Sequence, residues 1–198
     1  MKYIGLILIV TGLFSFGMKS DKTLENLQEA YKEEALASKK YEQFAFKAEE
    51  EGYSEIAELF AALSESESVH MSNHKRVIEE MGATPEQIPD ADIEVRSTKK
   101  NLKEVVKDEK KENRSKYPKL IKQAEKEENC AAVEAFSFAD ESEKQHYELL
   151  NKALDEMEQF EDGDYYVSDY TGRTFKVEPN GNEPEREFDN EEYIRVFL

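Results

Sequence analysis

The stretch Glu67-Ser68-Val69-His70 has a counterpart 76 residues later, Glu143-Lys144-Gln145-His146. In an α-helix, residues three apart lie on the same face, so each copy points a carboxylate and an imidazole in one direction. A single Glu-x-x-His pair carries little information in a chain this rich in acidic residues. The sequence around the two pairs carries much more.

The surrounding residues repeat in the same register. At the offset of 76, identical residues recur on both sides of the pairs: Tyr41 and Tyr117, Ala48 and Ala124, Glu49 and Glu125, Phe60 and Phe136, Glu65 and Glu141, Ser66 and Ser142. Nearer the N-terminus the offset is 75, as for Asn26-Leu27 and Asn101-Leu102. The chain therefore contains a duplicated helical hairpin of about 55 to 60 residues.

The change of offset means that the second copy has one extra residue between Glu109 and Tyr117. An extra residue within a continuous helix is most simply accommodated as a π-bulge. We expect a π-bulge in that segment.

Composition limits the possible functions. The 198 residues suit one domain of about 140 residues with a small appendage. The net charge of -18 argues against nucleic acids and anionic membrane surfaces as partners. The single cysteine, Cys130, excludes an internal disulfide and metal sites built from several cysteines.

The N-terminal residues differ from the rest of the chain. Lys2 precedes an apolar run from Tyr3 to Phe16, which is shorter than the roughly 20 residues that span a bilayer. This pattern predicts a signal segment over residues 1–19 and an exported protein, periplasmic or otherwise extracytoplasmic. The alternative is an uncleaved membrane anchor through residues 3–17.

Helical periodicity and stop signals define the remaining organisation. Gly52 and Gly82 are expected to end the first two helices, and residues 83–96 have no helical period, which suggests a crossover along a bundle. The fourth helix is expected to run from about Cys130 to Phe160. We predict an all-α fold, a four-helix bundle over residues 20–162 with one long crossover. Residues 163–198 form a small β segment of three short strands, which we expect to dock on the bundle or on a second subunit.

Seven side chains share the helix faces that point into this bundle: Glu34, Glu67, His70, Glu109, Glu112, Glu143 and His146. Burying even one unpaired carboxylate costs several kcal/mol, so five of them require compensation. Two divalent cations would offset four of the charges, and mostly carboxylate donors with one imidazole per ion suit iron or manganese more than zinc or copper. A Glu from each of two helices with Glu-x-x-His from the other two is the donor set of ferritin-like di-metal proteins. His74 matches no ligand position, and we interpret it as a surface residue.

These motifs resemble those of the rubrerythrin family over roughly residues 21–160. The resemblance is carried by Glu34 with Tyr41, Glu67-x-x-His70, Glu109-x-x-Glu112 with Tyr117-Pro118, and Glu143-x-x-His146. It implies a ferritin-like bundle with a di-iron centre that reduces hydrogen peroxide.

The resemblance also implies a role for each residue. Glu67 and Glu143 would bridge the irons, Glu34 and Glu109 would be terminal ligands, His146 would hold one iron, and the other iron would exchange between Glu112 and His70. Tyr41 and Tyr117 would hydrogen-bond ligand carboxylates. Glu112, His70, Tyr41 and Tyr117 are thus the expected catalytic residues.

The tail departs from the family pattern. Rubrerythrins usually end in a rubredoxin-like domain with two Cys-x-x-Cys motifs around one iron. Here the segment 166–172 looks like the first motif, with Ser168 and Thr171 at the cysteine positions. We predict no rubredoxin-type iron, and therefore an external electron donor.

The leading hypothesis is a di-iron peroxidase. The alternatives are ferritin-like iron oxidation or sequestration with oxygen, and a non-catalytic scaffold or interaction module. The expected partners are hydrogen peroxide or oxygen and the external donor, with no nucleic acid. The resemblance suggests a homodimer.

Overall fold

The computed structural model describes residues 21–198, so the predicted signal segment or anchor lies outside the described residues. Within this range the helices are α1 Lys22–Glu50, α2 Ser54–Glu80, α3 Thr98–Lys111, α4 Tyr117–Lys126 and α5 Cys130–Asp155. A π-helical segment, Glu112–Lys116, joins α3 to α4, and together they form the third helix of a four-helix bundle. Among these residues no helix is both long and apolar enough to cross a membrane.

The helix ends follow local sequence signals. The side chain of Asp21 accepts a hydrogen bond from the amide of Leu24 and caps α1. Gly52 and Gly82 have φ angles of +83° and +76° and follow the ends of α1 and α2, as expected. A left-handed residue reverses the chain at low cost only if it is glycine, which explains both stops.

The π-helical segment confirms the predicted π-bulge between Glu109 and Tyr117. The wider turn accommodates the extra residue locally, so the residues on either side keep the inward orientation of the first repeat. Glu109 and Tyr117 are consequently buried, as are their counterparts Glu34 and Tyr41.

The apolar core consists of two clusters at opposite ends of the bundle. One contains Phe44 and Phe60, and the other contains Leu27 and Phe136. The inward-facing acidic residues lie near the middle of their helices, between the two clusters. Residues 83–97 link α2 to α3 without helix or strand, consistent with the predicted crossover.

The tail forms a three-stranded antiparallel sheet in the order β2-β1-β3. The strands are β1 Asp164–Ser168, β2 Thr174–Val177 and β3 Tyr193–Val196, close to the three strands predicted. α5 is shorter than expected, since the sequence pattern extends it to Phe160. That residue instead packs into the core from non-helical chain.

The sheet docks on the bundle of its own chain, which was one of the two expected arrangements. The amide of Thr174 donates to Gln145 Oε1 over 2.7 Å, and Asn73 Nδ2 donates to the carbonyl of Tyr170 over 2.9 Å. Gly172, with φ of +81°, lies directly against the imidazole of His70. A Cβ atom at position 172 would lie 2.3 Å from His70 Nε2.

This close contact predicts that Gly172→Ala detaches or strains the tail. We expect Gly172→Ala to lower the free energy of unfolding by roughly 2–4 kcal/mol, because it adds a steric clash to the strain of a left-handed alanine. Gly82→Ala is the matched control, since Gly82 has nearly the same φ and a methyl group added to it would have no neighbour within 4 Å. Thermal unfolding and limited proteolysis of the tail measure the difference; equal losses in both variants would contradict the prediction.

Candidate metal centre

The bundle brings all seven predicted donor residues to its middle. Glu34 comes from α1, Glu67 and His70 from α2, Glu109 from α3, Glu143 and His146 from α5, and these six are buried. Glu112 opens the π-helical segment, and its side chain is 30% exposed. It is therefore the one member of the set within reach of solvent.

Four of these residues form a first donor group. Glu67, Glu109, Glu143 and His146 each offer an atom, and these atoms lie within 4.8 Å of one another. His146 Nδ1 is 3.3 Å from Glu67 Oε1 and 3.4 Å from Glu143 Oε2. Among the described residues, neither His146 Nδ1 nor Glu109 Oε2 has a hydrogen-bond partner. Buried polar atoms without partners are costly, and a cation bound here would satisfy both.

A second donor group adjoins the first. Glu34, Glu112 and Glu143 offer atoms that lie within 4.8 Å of one another. Glu143 belongs to both groups, which suits a carboxylate that bridges two ions. Glu67, the other expected bridge, belongs to the first group only.

His70 lies beside the two groups and belongs to neither. Its Nδ1 is 2.9 Å from Glu67 Oε2 and 4.0 Å from Glu143 Oε1. Its Nε2 faces Gly172 of the tail. His70 is therefore the one predicted ligand that lies outside both donor groups, although its Nδ1 contacts a member of the first.

The two tyrosines bond the carboxylates of opposite repeats. Tyr41 donates its hydroxyl hydrogen to Glu109 Oε1, and Tyr117 donates to Glu34 Oε1. Burial, with the charge of the neighbouring acidic residue, raises the pKa of both tyrosines well above the usual value. Both hydroxyls therefore keep their hydrogens and fix the orientation of a donor carboxylate, as expected from the resemblance.

Ser66 determines which nitrogen of the neutral His146 ring carries the hydrogen. Its hydroxyl donates to the carbonyl of Gly172 and lies 2.9 Å from His146 Nε2. Because the one hydroxyl hydrogen is used, Ser66 can only accept from Nε2–H. In the neutral ring Nδ1 is then the unprotonated nitrogen, which is the form that binds a metal ion. Burial opposes protonation of the ring, but Glu67 outweighs burial and raises the pKa of His146, so a bound cation would replace a hydrogen at Nδ1.

Burial and mutual repulsion control the protonation of the carboxyl groups. Burial raises the pKa of Glu34 to about 8. Burial and the neighbouring acidic residues raise the pKa of Glu109 and Glu143 well above the usual value. Glu67 is equally buried, but the imidazoles of His146 and His70 outweigh burial and lower its pKa. The cluster thus holds protons that bound cations would replace, and its carboxylate-rich donor set fits two iron ions.

The sequence profile of the rubrerythrin family matches residues 25–154. This chain belongs to the rubrerythrin family. It is 30% identical to a nigerythrin from Nitratidesulfovibrio vulgaris over 90% of this chain and 91% of the relative. It is 29% identical to rubrerythrin-2 from Clostridium acetobutylicum over 79% of this chain and 87% of the relative.

Solved structures agree with this assignment. A nigerythrin in its fully reduced, all-ferrous state superposes with a TM-score of 0.74 at 30% identity, covering 90% of this chain and 91% of that one. A bacterioferritin from Desulfovibrio desulfuricans, at 18% identity and a TM-score of 0.65 over 71% of this chain and 82% of that one, shares the fold. The ferritin-like bundle is thereby confirmed, and with the donor cluster it makes this chain a di-iron protein of the rubrerythrin kind.

The interpretation of His74 as a surface residue is wrong. Its side chain is fully buried, with ring centroids 5.3 Å from Phe136 and 6.5 Å from Tyr117. Burial lowers its pKa well below the usual value, so the ring is neutral. The spacing contained the signal, because His74 follows His70 by one helical turn and therefore shares its inward face.

Lys116 also belongs to the site of this rubrerythrin-family protein, and the sequence pattern alone did not predict its place there. Its Nζ lies 2.6 Å from Glu112 Oε2, 2.9 Å from Glu33 Oε2 and 3.5 Å from Glu34 Oε1. A signal was present, since both Tyr41 and Tyr117 are preceded by lysine. An ammonium group thus stands at the edge of the second donor group.

The tail keeps a tight turn at the expected cysteine-motif position. Ser168 Oγ accepts hydrogen bonds from the amides of Tyr170 and Thr171, at 3.3 Å and 3.0 Å. No cysteine occurs in residues 163–198. That this tail carries no rubredoxin-type iron stays a prediction.

The raised pKa of Glu34 predicts how stability depends on pH when metal is removed by a chelator. The folded chain retains a proton that the unfolded chain releases near the usual value, so stability falls as pH rises from about 4.5 to about 8. We expect Glu34→Gln to flatten this slope, changing the pH 5-to-8 difference in Tm by about 3 °C or more.

The matched control is Glu29→Gln, also in α1, whose side chain is 65% exposed. It should reproduce the wild-type slope, because the substitution lies on the exposed face of α1 and leaves the buried carboxylate cluster unchanged. Thermal unfolding followed by circular dichroism at a series of pH values gives the Tm of the wild type and of both variants. Parallel slopes for wild type and Glu34→Gln would refute the assigned pKa.

Proposed function

We propose that this protein is a di-iron peroxidase that reduces hydrogen peroxide to water with electrons from an external donor. The proposal rests on one observation above all: two adjacent donor groups share Glu143 in the buried middle of a rubrerythrin-family bundle. The proposed ligands are Glu34, Glu67, Glu109, Glu112, Glu143, His70 and His146.

The reaction consumes two electrons and two protons for each peroxide, giving two water molecules. When bound, a pair of ferrous ions supplies both electrons together, so that the O–O bond breaks without releasing a hydroxyl radical, and supplies the Lewis acidity that holds both oxygens. The chain must then orient the metal-ligating side chains, admit a small oxidant and keep hydrogen-bond donors near the reacting oxygens.

Tyr41, Tyr117 and Lys116 perform the last of these tasks. Tyr41 donates a hydrogen bond to Glu109, and Tyr117 donates one to Glu34. Lys116 Nζ donates to Glu112. All three side chains keep their hydrogens at neutral pH because their pKa values are raised. Hydrogen-bond donors are therefore held at three of the carboxylates that border the proposed metal positions.

Access to the centre supports a small substrate. Two surface clefts, of about 370 and 430 Å³, are both lined by Glu33 and Glu112. On the other side, the tail covers His70 and Ser66 through Gly172. An oxidant would enter at Glu112, whose partial exposure also suits the proposed exchange of an iron ligand between Glu112 and His70.

A second candidate is ferritin-like iron oxidation with oxygen. The larger of these two clefts has an acidic excess that is favourable for cation entry: its lining includes five acidic residues, Glu33, Asp92, Glu94, Glu104 and Glu112, against the two basic residues Lys40 and Arg96. Relative rates with peroxide and oxygen distinguish the two activities. A purely structural interaction module, the third possibility, would not require the buried donor groups at all.

Location and assembly are further proposals. The apolar run in residues 1–19 supports export, with an anchor through residues 3–17 as the alternative. A homodimer is proposed from the family alone. Detection of the chain in periplasmic or membrane fractions and its mass in solution test these proposals.

We expect anaerobically prepared protein with two Fe(II) per chain to be oxidised by one equivalent of peroxide at least about tenfold faster than by oxygen, and faster than free Fe(II). Stopped-flow absorbance follows the oxidation. Glu67→Gln should abolish the fast phase, because it removes a donor from the buried group. Glu79→Gln, an exposed substitution in the same helix, should retain it.

Faster oxidation by oxygen than by peroxide would favour the iron-oxidation alternative. Oxidation no faster than that of free iron, with either oxidant, would refute both activities. Elemental analysis of the purified protein gives an independent check, since about two irons per chain are expected.

A further inference from the structure

We propose that Lys116 is a positioning residue that holds Glu112 and Glu34 and thereby makes the two metal positions unequal. The first ion would bind in the Glu67, Glu109, Glu143 and His146 group, and the second would have to displace an ammonium group. This inference rests on the di-iron centre of the proposed function, and it is independent of whether the oxidant is peroxide or oxygen.

Lys116 links the surface to the centre through three carboxylates. The side chain of Glu33 is 46% exposed, that of Glu112 is 30% exposed and that of Glu34 is 3% exposed. The ammonium lies within 3.5 Å of an oxygen on each. It therefore engages two of the three donors of the second group, Glu112 and Glu34.

The internal repeat shows that this contact is specific to one half of the bundle. The counterpart of Lys116 is Lys40, which likewise precedes a buried tyrosine. Lys40 Nζ bonds Asp108 at 3.1 Å, just as Lys116 bonds Glu33, the counterpart of Asp108. Lys116 has the additional contacts with Glu112 and Glu34, so the two lysines are equivalent in sequence and unequal in structure.

The cause of the asymmetry lies in the π-helical segment. At the offset of 75, the residue that corresponds to Glu112 in the first repeat is Ala37. Lys40 thus has no carboxylate one turn earlier on its own helix, whereas Lys116 follows Glu112 by four residues. The extra carboxylate and the lysine occur together at the edge of one metal position only.

Lys116 remains charged at this site. Carboxylate oxygens of Glu33, Glu112 and Glu34 lie within 3.5 Å of the ammonium and favour its charged form. The ammonium also lies 4.9 Å from the centroid of the Tyr117 ring, a favourable cation–π distance. In contrast, the first donor group is contacted by neutral hydroxyls, from Tyr41 at Glu109 and from Ser66 at His146.

A fixed positive charge this close to a second cation weakens its binding strongly, since charges a few ångströms apart inside a protein are poorly screened. We expect anaerobic titration of the full chain with Co(II), a divalent probe with visible absorption, to show two steps. The second dissociation constant should exceed the first by at least about tenfold. Lys116→Met should tighten the second step by about tenfold or more and leave the first within about threefold.

Two controls test the assignment to this side chain. Lys40→Met removes the equivalent charge from the other half and should leave the wild-type pattern. Lys116→Arg retains the charge and should preserve the unequal steps. Lys116→Gln replaces Lys116→Met if the latter does not fold, as judged by circular dichroism.

The outcomes separate the inference from the function on which it rests. Failure of the wild-type chain to bind two Co(II) ions would overturn the di-metal centre itself. Two equal steps in the wild type, or a second step unchanged by removal of the Lys116 charge, would leave the centre intact and overturn the role of Lys116. Unequal steps that converge in Lys116→Met and persist in Lys40→Met would establish it.

Discussion

The convergence of five carboxylates in one helical core, four of them buried and Glu112 partly exposed, is the constraint on which this structure depends. A cluster of that kind repels itself, and the chain reduces the repulsion in several ways at once. Tyr41 and Tyr117 donate hydrogen bonds, His70 and His146 lie against Glu67, and Lys116 contacts Glu112 and Glu34. The raised pKa values that remain show that these contacts are insufficient on their own. Two bound cations would complete the compensation.

The duplicated hairpin explains why the two halves of the donor cluster are built alike, and the π-helical segment explains where they differ. The crossed bonds from Tyr41 to Glu109 and from Tyr117 to Glu34 relate the two repeats by approximate symmetry. The π-helical segment breaks that symmetry by introducing Glu112, which is both partly exposed and ion-paired. A symmetric pair of donor groups would be equally buried, whereas here one group is buried throughout and the other includes the partly exposed Glu112. Reaction with a small oxidant requires an accessible position.

Periodicity and spacing were sufficient to predict the bundle, the π-bulge and the convergence of the seven donors. These features depend on which residues share a helix face, and the spacing of residues along the sequence largely determines that. The position of Lys116 was only partly predictable in this way. Helical spacing places it one turn after Glu112, but its contacts with Glu33 and Glu34 cross to another helix and depend on tertiary packing. His74 differs in that local spacing does specify its position: it matches no ligand motif, but it lies one helical turn after His70 and therefore on the inward face. The end of α5 and the attachment of the tail depend on tertiary packing of Phe160 and Gly172, which no local signal specifies.

The tail is coupled to the metal centre although it has no cysteine. A chain of hydrogen bonds runs from His146 Nε2 to Ser66 and from Ser66 to the carbonyl of Gly172. Each link has a defined direction, because the serine has a single hydrogen to give. If the tail were displaced, Ser66 could turn its hydrogen toward His146 Nε2, and the ring would then favour a hydrogen on Nδ1, the nitrogen that faces Glu67 and Glu143. The docked sheet therefore favours the tautomer that can bind a metal ion. A tail without an electron-carrying iron would still contribute to the centre by holding this histidine in the form that the metal requires.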